Sequence, residues 1–439
     1  MKSTDFEACA RPYQVRNGRC EKSLRRVLFV AENLTLAQVV RLATLAKSLD
    51  THVYDVHFAC NEFDPLVFRG AGFKFWEIRS VEKDEALKRV AKGERVHDER
   101  VLTEYVHDEL SLLDKVRPDL VVGDFRLSLS TSCTLRNIPL ATLINAYWSP
   151  YAVRDSFPVP DHPMVKWVGL ERAQKYFPQA MPMAFKHFAG PVNSVRKRFG
   201  LPAIGSLLEV LTYGDLTLYP DVPELCPTAY LPGNHAYIGY VPWAPEVSDP
   251  DALRRSDPRT PWIYVTLGSS GNLDALHAVL KAIGELPVKA LLATAGRAAV
   301  SELPPNIVTC EFVPGHLAAR AASLVITNGG SSTGYQALAE GAPVLGLPSN
   351  LDQYLAMTAI ENKGAGRLIR SASASVAEVR QGIELLLTRE SYRSAARGLS
   401  RIFAAYDYRR LFNDRLDDII NRRQTWQSMH GEPIMAGAQ

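Results

Sequence analysis

From Arg25 onward, short continuous apolar runs alternate with stretches in which apolar residues recur every three or four positions. "RVLFVAE" (26–32) is an apolar run bounded by polar residues, the pattern of a strand buried on both faces. "LAQVVRLATLAKSL" (36–49) follows, with Leu36, Val39, Val40, Leu42, Ala43, Leu45, Ala46 and Leu49 at helical spacing. "HVYDVHFAC" and "FKFWEI" predict two further strands, and 83–117 predicts one or two helices. "PDLVVGDF" is a strand, "LSLSTSCTLRN" a helix and "PLATLINA" the next strand; "LTYGDLTLYPDVPEL" returns one more strand to this half. A second series follows, with strands in "WIYVTLGSSG", "VKALLAT", "NIVTCEF", "ASLVITNGG" and "APVLGLP" and helices between them. Alternation of this kind predicts parallel sheets with helices on both faces.

The two series are separated by 241–261, a stretch with five prolines. The expected division is an extension over 1–24, a first domain over 25–240, a linker over 241–261, a second domain over 262–400, and a terminal helix and tail over 401–439. Residues 148–232, rich in proline and aromatics, read as loops and helices lying over the first sheet. An acceptor pocket can form there.

The length of 439 residues agrees with two domains, and 46% apolar with 22% charged residues is ordinary for a globular chain. A net charge of +3 without a basic block gives no reason to expect nucleic acid as a partner. Six dispersed cysteines show neither zinc-like spacing nor a disulfide framework, and suit a reducing compartment. The N-terminus lacks the apolar core of a signal peptide, and no run of 18 apolar residues occurs. The expectation is a cytoplasmic protein without a transmembrane segment.

The densest chemistry lies in "ASLVITNGGSSTGYQALAEGAPVLGLPSNLDQYLAM" (322–357). A strand ends at Thr327, and Asn328, Gly329, Gly330, Ser331, Ser332 and Thr333 turn directly into a helix. Glycines allow close backbone approach, hydroxyls surround the turn, and the amides of a helix N-terminus attract anions. The plainer reading is a tight turn with serine capping. Neighbouring strand ends add Ser269 and Ser270, His316, and Asp352 with Gln353, side chains suited to a diphosphate and a polyhydroxylated ligand. There is no G-x-x-x-x-G-K-[ST] loop, and no G-x-G-x-x-G follows the first strand of either half, which argues against nicotinamide or flavin.

This stretch resembles the donor-binding signature of family 1 glycosyltransferases, the UDP-glycosyltransferase-like enzymes, particularly their bacterial macrolide-type branch. The resemblance spans about 25–420. It implies an α/β chain of GT-B fold: two tandem Rossmann-like, doubly wound domains facing each other across a cleft, with the terminal helix crossing back to the first. It further implies an inverting transfer of sugar from a UDP- or dTDP-sugar to a small hydrophobic or aromatic acceptor, as in natural-product biosynthesis. The nucleotide sugar is a co-substrate, with no other cofactor and no metal site; a homodimer stays open. Ser269 or Ser270, Gly330, Ser331 and Ser332 would meet the diphosphate, with Asn328 where the family usually has histidine. Asp352 and Gln353 would hold sugar hydroxyls, and Val313 to His316 would border the base. Tyr147, Trp148 and Tyr151 are candidates to stack on the acceptor, although aromatics near prolines are equally often packing.

In this family a histidine on the first loop or helix deprotonates the acceptor and an aspartate orients it. Ala37-Gln38-Val39 occupies that place, so Gln38 stands at the base position, with Asp124 as the matching aspartate. Glutamine takes up no proton at neutral pH. Three readings remain. Asp124 or Glu32 serves directly as base, or the acceptor is acidic enough to need little help. Alternatively the chain carries a deliberate inactivating change, or it binds nucleotide sugars or glycosides without transfer.

Overall fold

The computed structural model describes residues 13–16, 19–22, 24–245, 260–267, 273–294 and 303–430. A short antiparallel hairpin, Tyr13–Arg16 with Arg19–Lys22, precedes the first sheet. That sheet has seven strands in the spatial order Lys74–Glu77, Tyr54–Cys60, Arg25–Ala31, Leu120–Asp124, Leu140–Leu143, Leu216–Tyr219 and His235–Tyr237. Every pairing in it is parallel. The second sheet, also parallel throughout, runs Ile307–Cys310, Lys289–Ala293, Trp262–Thr266, Leu324–Thr327, Val344–Gly346 and Gly366–Leu368.

Burial on both faces explains the continuous apolar runs. Val27, Phe29 and Ala31 point into one core with Val39, Leu42, Ala43 and Ala46 of the helix Leu36–Lys47. Leu28 and Val30 point into the opposite layer, against Leu112, Leu113 and Val116 of the helix Glu99–Val116. In each sheet the first strand lies between its successor on one side and a later strand on the other. This reversal opens a crevice beyond the strands' carboxyl ends. It places the start of the helix Leu36–Lys47 beside Asp124 in one half, and Thr266 beside the turn after Thr327 in the other.

A cluster including Ile144, Tyr147, Tyr219 and Val222 from the first half and Tyr264, Tyr335 and Met357 from the second joins the two sheets. The helix Tyr408–His430 returns to the first half, where Phe412, Leu416 and Ile420 are buried with Phe29 and Leu42. Its Asp417 pairs with Arg25 and accepts from Tyr54 Oη at 2.5 Å.

The proline-rich centre holds loops and helices as expected, chiefly Pro163–Val168 and 29 residues over Leu170–Arg198 that run through Pro178, Pro182 and Pro191. One strand goes beyond the sequence expectation. The three-residue edge strand His235–Tyr237 is too short to show a period. Residues 246–259, most of the expected linker, lie outside the described residues.

Candidate active site

The helix Ser331–Ala339 begins directly at the end of strand Leu324–Thr327. Gly329 makes the turn at φ 85°, and a Cβ there would sit 2.8 Å from Met357 Cγ, so both conformation and space require glycine. Asn328 Oδ1 accepts from the Gly330 amide at 3.1 Å and so fixes the loop. Gly330 is the N-cap and no side chain caps this helix. The first-turn amides, which lack intrahelical acceptors, therefore open at Ser331, Ser332 and Thr333 with the positive end of the helix dipole.

These residues line a cleft of ≈ 1170 Å³ between the two halves, together with Asn328, Gly330, Asp352, Gln353 and Val313. Asp352 Oδ1 accepts from Trp148 Nε1 at 2.8 Å and Tyr147 Oη at 3.1 Å, so the first half aims this carboxylate. Gln353 Oε1 accepts from the Ser349 amide at 2.9 Å and, with Asn350, closes a capping box on the helix Leu351–Asn362. Its carbonyl is thereby committed to the cap. Gly329 and His316 are not among the lining residues. Gly329 shapes the turn, and Gly315 reaches the cleft where His316 does not. Ser269 and Ser270 lie outside the described residues.

Across the cleft stands Asp124, buried at the end of its strand. Arg41 grips it bidentately, Nε to Oδ2 and Nη2 to Oδ1, both at 3.1 Å. Burial raises the carboxyl to about 6, the Arg41 guanidinium pulls it back, and the Asp352 charge adds to the rise. Gln38 also lines the cleft, but its Oε1 accepts from the backbone amides of Leu34 at 3.1 Å and Thr35 at 3.2 Å. With Thr35 it forms the capping box of the helix Leu36–Lys47. Asp124 is thus oriented by Arg41, and Gln38 completes a helix N-terminus.

Three expected residues need correction. Glu32 is fully buried and does not line the cleft: Arg126 Nη1 lies 3.0 Å away and Tyr105 Oη 3.1 Å, and Ser80 also bonds to it. Burial alone would raise its carboxyl, yet Arg126, His97 and Ser80 hold it down at about 2, so it makes a poor base. Tyr147 is buried behind the wall and serves Asp352. Tyr151 faces outward against Tyr230 and His235. Trp148 does line the cleft. The apolar wall comes chiefly from the helix Leu170–Arg198, through Phe177, Met181, Phe185 and Phe188.

What connects the two halves leaves little sign in the sequence. Asn145 Oδ1 accepts from Arg41 Nη1 at 2.6 Å, and Asn145 Nδ2 donates to Asp221 Oδ1 at 3.0 Å. Asp221 Oδ1 also accepts from Tyr335 Oη at 2.5 Å, one turn beyond Ser331 on the uncapped helix. Ser331 Oγ lies 3.5 Å from Asn145 Oδ1. Farther along, Asp161 accepts from Arg370 Nη2 at 2.7 Å and Tyr354 Oη at 2.8 Å, and its amide donates to Ser349 O at 2.8 Å. The available signal was Arg41 itself, a charge set among apolar positions of an otherwise buried helix face. Among the described residues, no group of three His, Cys, Asp or Glu is placed to hold a metal ion.

The family described as "Erythromycin biosynthesis protein CIII-like, C-terminal domain" matches residues 277–406. A PGL/p-HBAD biosynthesis glycosyltransferase of Mycobacterium tuberculosis is 42% identical over 380 residues, covering 86% of this chain and 89% of its own. A PGL/p-HBAD biosynthesis rhamnosyltransferase of Mycobacterium bovis is likewise 42% identical, over 86% of this chain and 84% of its own. The spinosyn rhamnosyltransferase SpnG, solved with thymidine diphosphate, shares the fold. Its TM-score is 0.65 at 21% identity, over 90% of this chain and all of SpnG.

Proposed function

We propose that this chain, which belongs to the family of the PGL/p-HBAD biosynthesis glycosyltransferases and is a glycosyltransferase of GT-B fold, moves a sugar from a UDP- or dTDP-sugar to an apolar acceptor with inversion. One observation carries this reading: the uncapped helix N-terminus at Gly330–Thr333 and the Arg41–Asp124 pair line the same cleft. The donor's diphosphate sits at the amides of Ser331–Thr333, where developing negative charge is stabilised without reorganisation. Asp352, held by Trp148 and Tyr147, meets the sugar hydroxyls. The acceptor lies along the apolar wall with its hydroxyl toward Asp124.

In the transfer, the acceptor oxygen forms its bond to the anomeric carbon while the bond to the diphosphate oxygen breaks. The hydroxyl proton passes to Asp124, and the nucleoside diphosphate leaves with the electron pair. A carboxyl at about 6 is ionised at neutral pH and still more basic than a surface aspartate, which suits a general base. The donor is a co-substrate and no metal or further cofactor takes part, so chelation with EDTA should leave turnover unchanged. Buried Cys60, Cys133 and Cys226 agree with a reducing, cytoplasmic setting. No described helix is long and apolar enough to cross a membrane.

The test begins with melting curves in dTDP, UDP and other nucleoside diphosphates, followed by mass spectrometry of transfer to phenolic and aliphatic alcohols. A nucleotide at 100 times its Kd adds ~2.7 kcal/mol of stability. If no nucleotide shifts the melting temperature, the donor site is misplaced. A shift without transfer to any acceptor would favour a non-catalytic binding protein.

A further inference from the structure

The large apolar side chains left exposed are unevenly distributed. Among the described residues there are fourteen, and five of them (Met164, Trp167, Val168, Tyr176 and Met183) fall within twenty consecutive positions. The two most exposed, Trp167 at 88% and Met183 at 78%, are both in this segment. Isolated surface apolars need no explanation, but a concentration of this kind marks an interaction surface.

Its position narrows the partner. Met164, Val168 and Tyr176 are exposed and also line the cleft, so they form its mouth. The facing lip is the end of the helix Lys83–Ala91, where Val90 is likewise both exposed and lining. The lips are fastened together: His162 Nε2 lies 2.8 Å from the Lys92 carbonyl, and its Nδ1 accepts from the Met164 amide at 3.1 Å. Gly93, at φ 68°, leaves room for this ring, since a Cβ there would lie 2.8 Å from it. The apolar mouth is therefore a built feature of the fold.

The charge along this segment is mostly positive. Between 162 and 186 the chain carries Lys166, Arg172, Lys175 and Lys186, all exposed, against the single acidic residue Glu171. Exposed tryptophan, tyrosine and methionine interleaved with lysine and arginine suit a lipid headgroup region: the rings and thioethers enter the acyl boundary while the cations stay among phosphates. A protein partner's apolar core offers no comparable match for four interspersed cations.

We propose that Met164–Met183 docks this protein on an anionic bilayer surface, with the mouth of the cleft facing the lipid. An amphiphilic acceptor then passes from the membrane to the apolar wall of Phe177, Phe185 and Phe188 without crossing water. This passage rests on the reading of the cleft as the acceptor site, whereas the docking does not.

The test is cosedimentation of the full chain with 100 nm vesicles, either phosphatidylcholine alone or phosphatidylcholine with about 30% phosphatidylglycerol. Dynamic light scattering without lipid and melting shifts with dTDP and UDP accompany it. Trp167, Met183, Lys166 and Lys175 lie outside the cleft lining, so Trp167→Glu/Met183→Glu and Lys166→Glu/Lys175→Glu should keep the wild-type melting temperature and nucleotide response. Wild-type protein should sediment with the anionic vesicles and much less with the neutral ones. Each lysine change should weaken partitioning roughly fivefold or more, and the Trp167/Met183 variant should stay in the supernatant. No cosedimentation, or cosedimentation untouched by either variant, overturns the proposal. So does a wild-type dimer that Trp167→Glu converts to monomer, which would assign the patch to a second copy. Docking without any nucleotide response would leave this proposal standing and sink the donor-site reading instead.

Discussion

Arg41→Met is the most informative single change, because it separates the two jobs of the Arg41–Asp124 pair. In the wild type Asp124 is raised from 3.8 to about 6 despite its bidentate partner. At about 1.4 kcal/mol per unit, its ionised form costs the fold roughly 3 kcal/mol. That cost is absent below pH 3.8, grows as the pH rises to about 6, and is constant above. Removing Arg41 deletes the attraction that opposes burial, and the Asp124 carboxyl rises further. A stranded buried charge would cost about 3–5 kcal/mol, but at pH 7 the carboxyl can take up a proton, which caps the added ionisation cost near ~1 kcal/mol. Lost hydrogen bonds to Asp124 and Asn145 bring the expected destabilisation to about 2–4 kcal/mol, measurable by urea unfolding. A protonated Asp124 cannot accept the acceptor's proton. Turnover at pH 7 should fall about twofold or more and partly return by pH 9, the acid limb of the kcat/KM profile moving up by a unit or more from about 6. Asp124→Asn should lose about 10²–10⁴-fold at every pH. An acid limb unmoved in Arg41→Met would refute both the pairing and the assignment of Asp124 as base.

Gln38→His should not raise turnover, since Arg41 already occupies Asp124, and should cost about 0.5–2 kcal/mol through the lost cap. Gln38→Glu, which preserves the cap, should melt near the wild type; a tenfold gain in Gln38→His would instead mark 38 as the native base position. Tyr335→Phe removes a donor from buried Asp221 and should cost about 1–3 kcal/mol. It should also raise the donor KM more than it lowers kcat, because the uncapped helix loses its anchor to the first half. Glu32, held at about 2 against 4.5 unfolded, contributes stability that is present above pH 4.5 and lost as the pH falls toward 2. Glu32→Gln should lower stability at pH 7 by about 3–5 kcal/mol and flatten the acid unfolding curve over that window.

Both sheets are legible in the sequence because parallel strands buried on two faces leave unbroken apolar runs, and the helices between them keep a 3.6-residue period. The turn at Asn328–Thr333 is legible because glycine and hydroxyl residues gather at a strand end. The length of the central helix is not, since Pro178, Pro182 and Pro191 argue locally against 29 unbroken helical residues that tertiary packing sustains. Nor is the Arg41–Asp124 pair, which joins residues 83 positions apart through side-chain reach that no periodicity encodes.

Gln38 is the instructive case, because two local rules compete for it. Family resemblance assigns its position to a base. The spacing Thr35-Leu36-Ala37-Gln38 is also a capping box, and Asn350-Leu351-Asp352-Gln353 repeats the pattern across the cleft. The geometry follows the capping rule at both places: each glutamine carbonyl turns back onto its own helix N-terminus. Capping both helices this way fixes the backbone that carries Arg41 on one side and Asp352 on the other. A histidine at 38 would compete with Arg41 for Asp124, whereas a glutamine leaves that carboxylate to the guanidinium. On the proposed reading, the proton-accepting role therefore falls to Asp124, the aspartate that by the family resemblance would orient a histidine at 38.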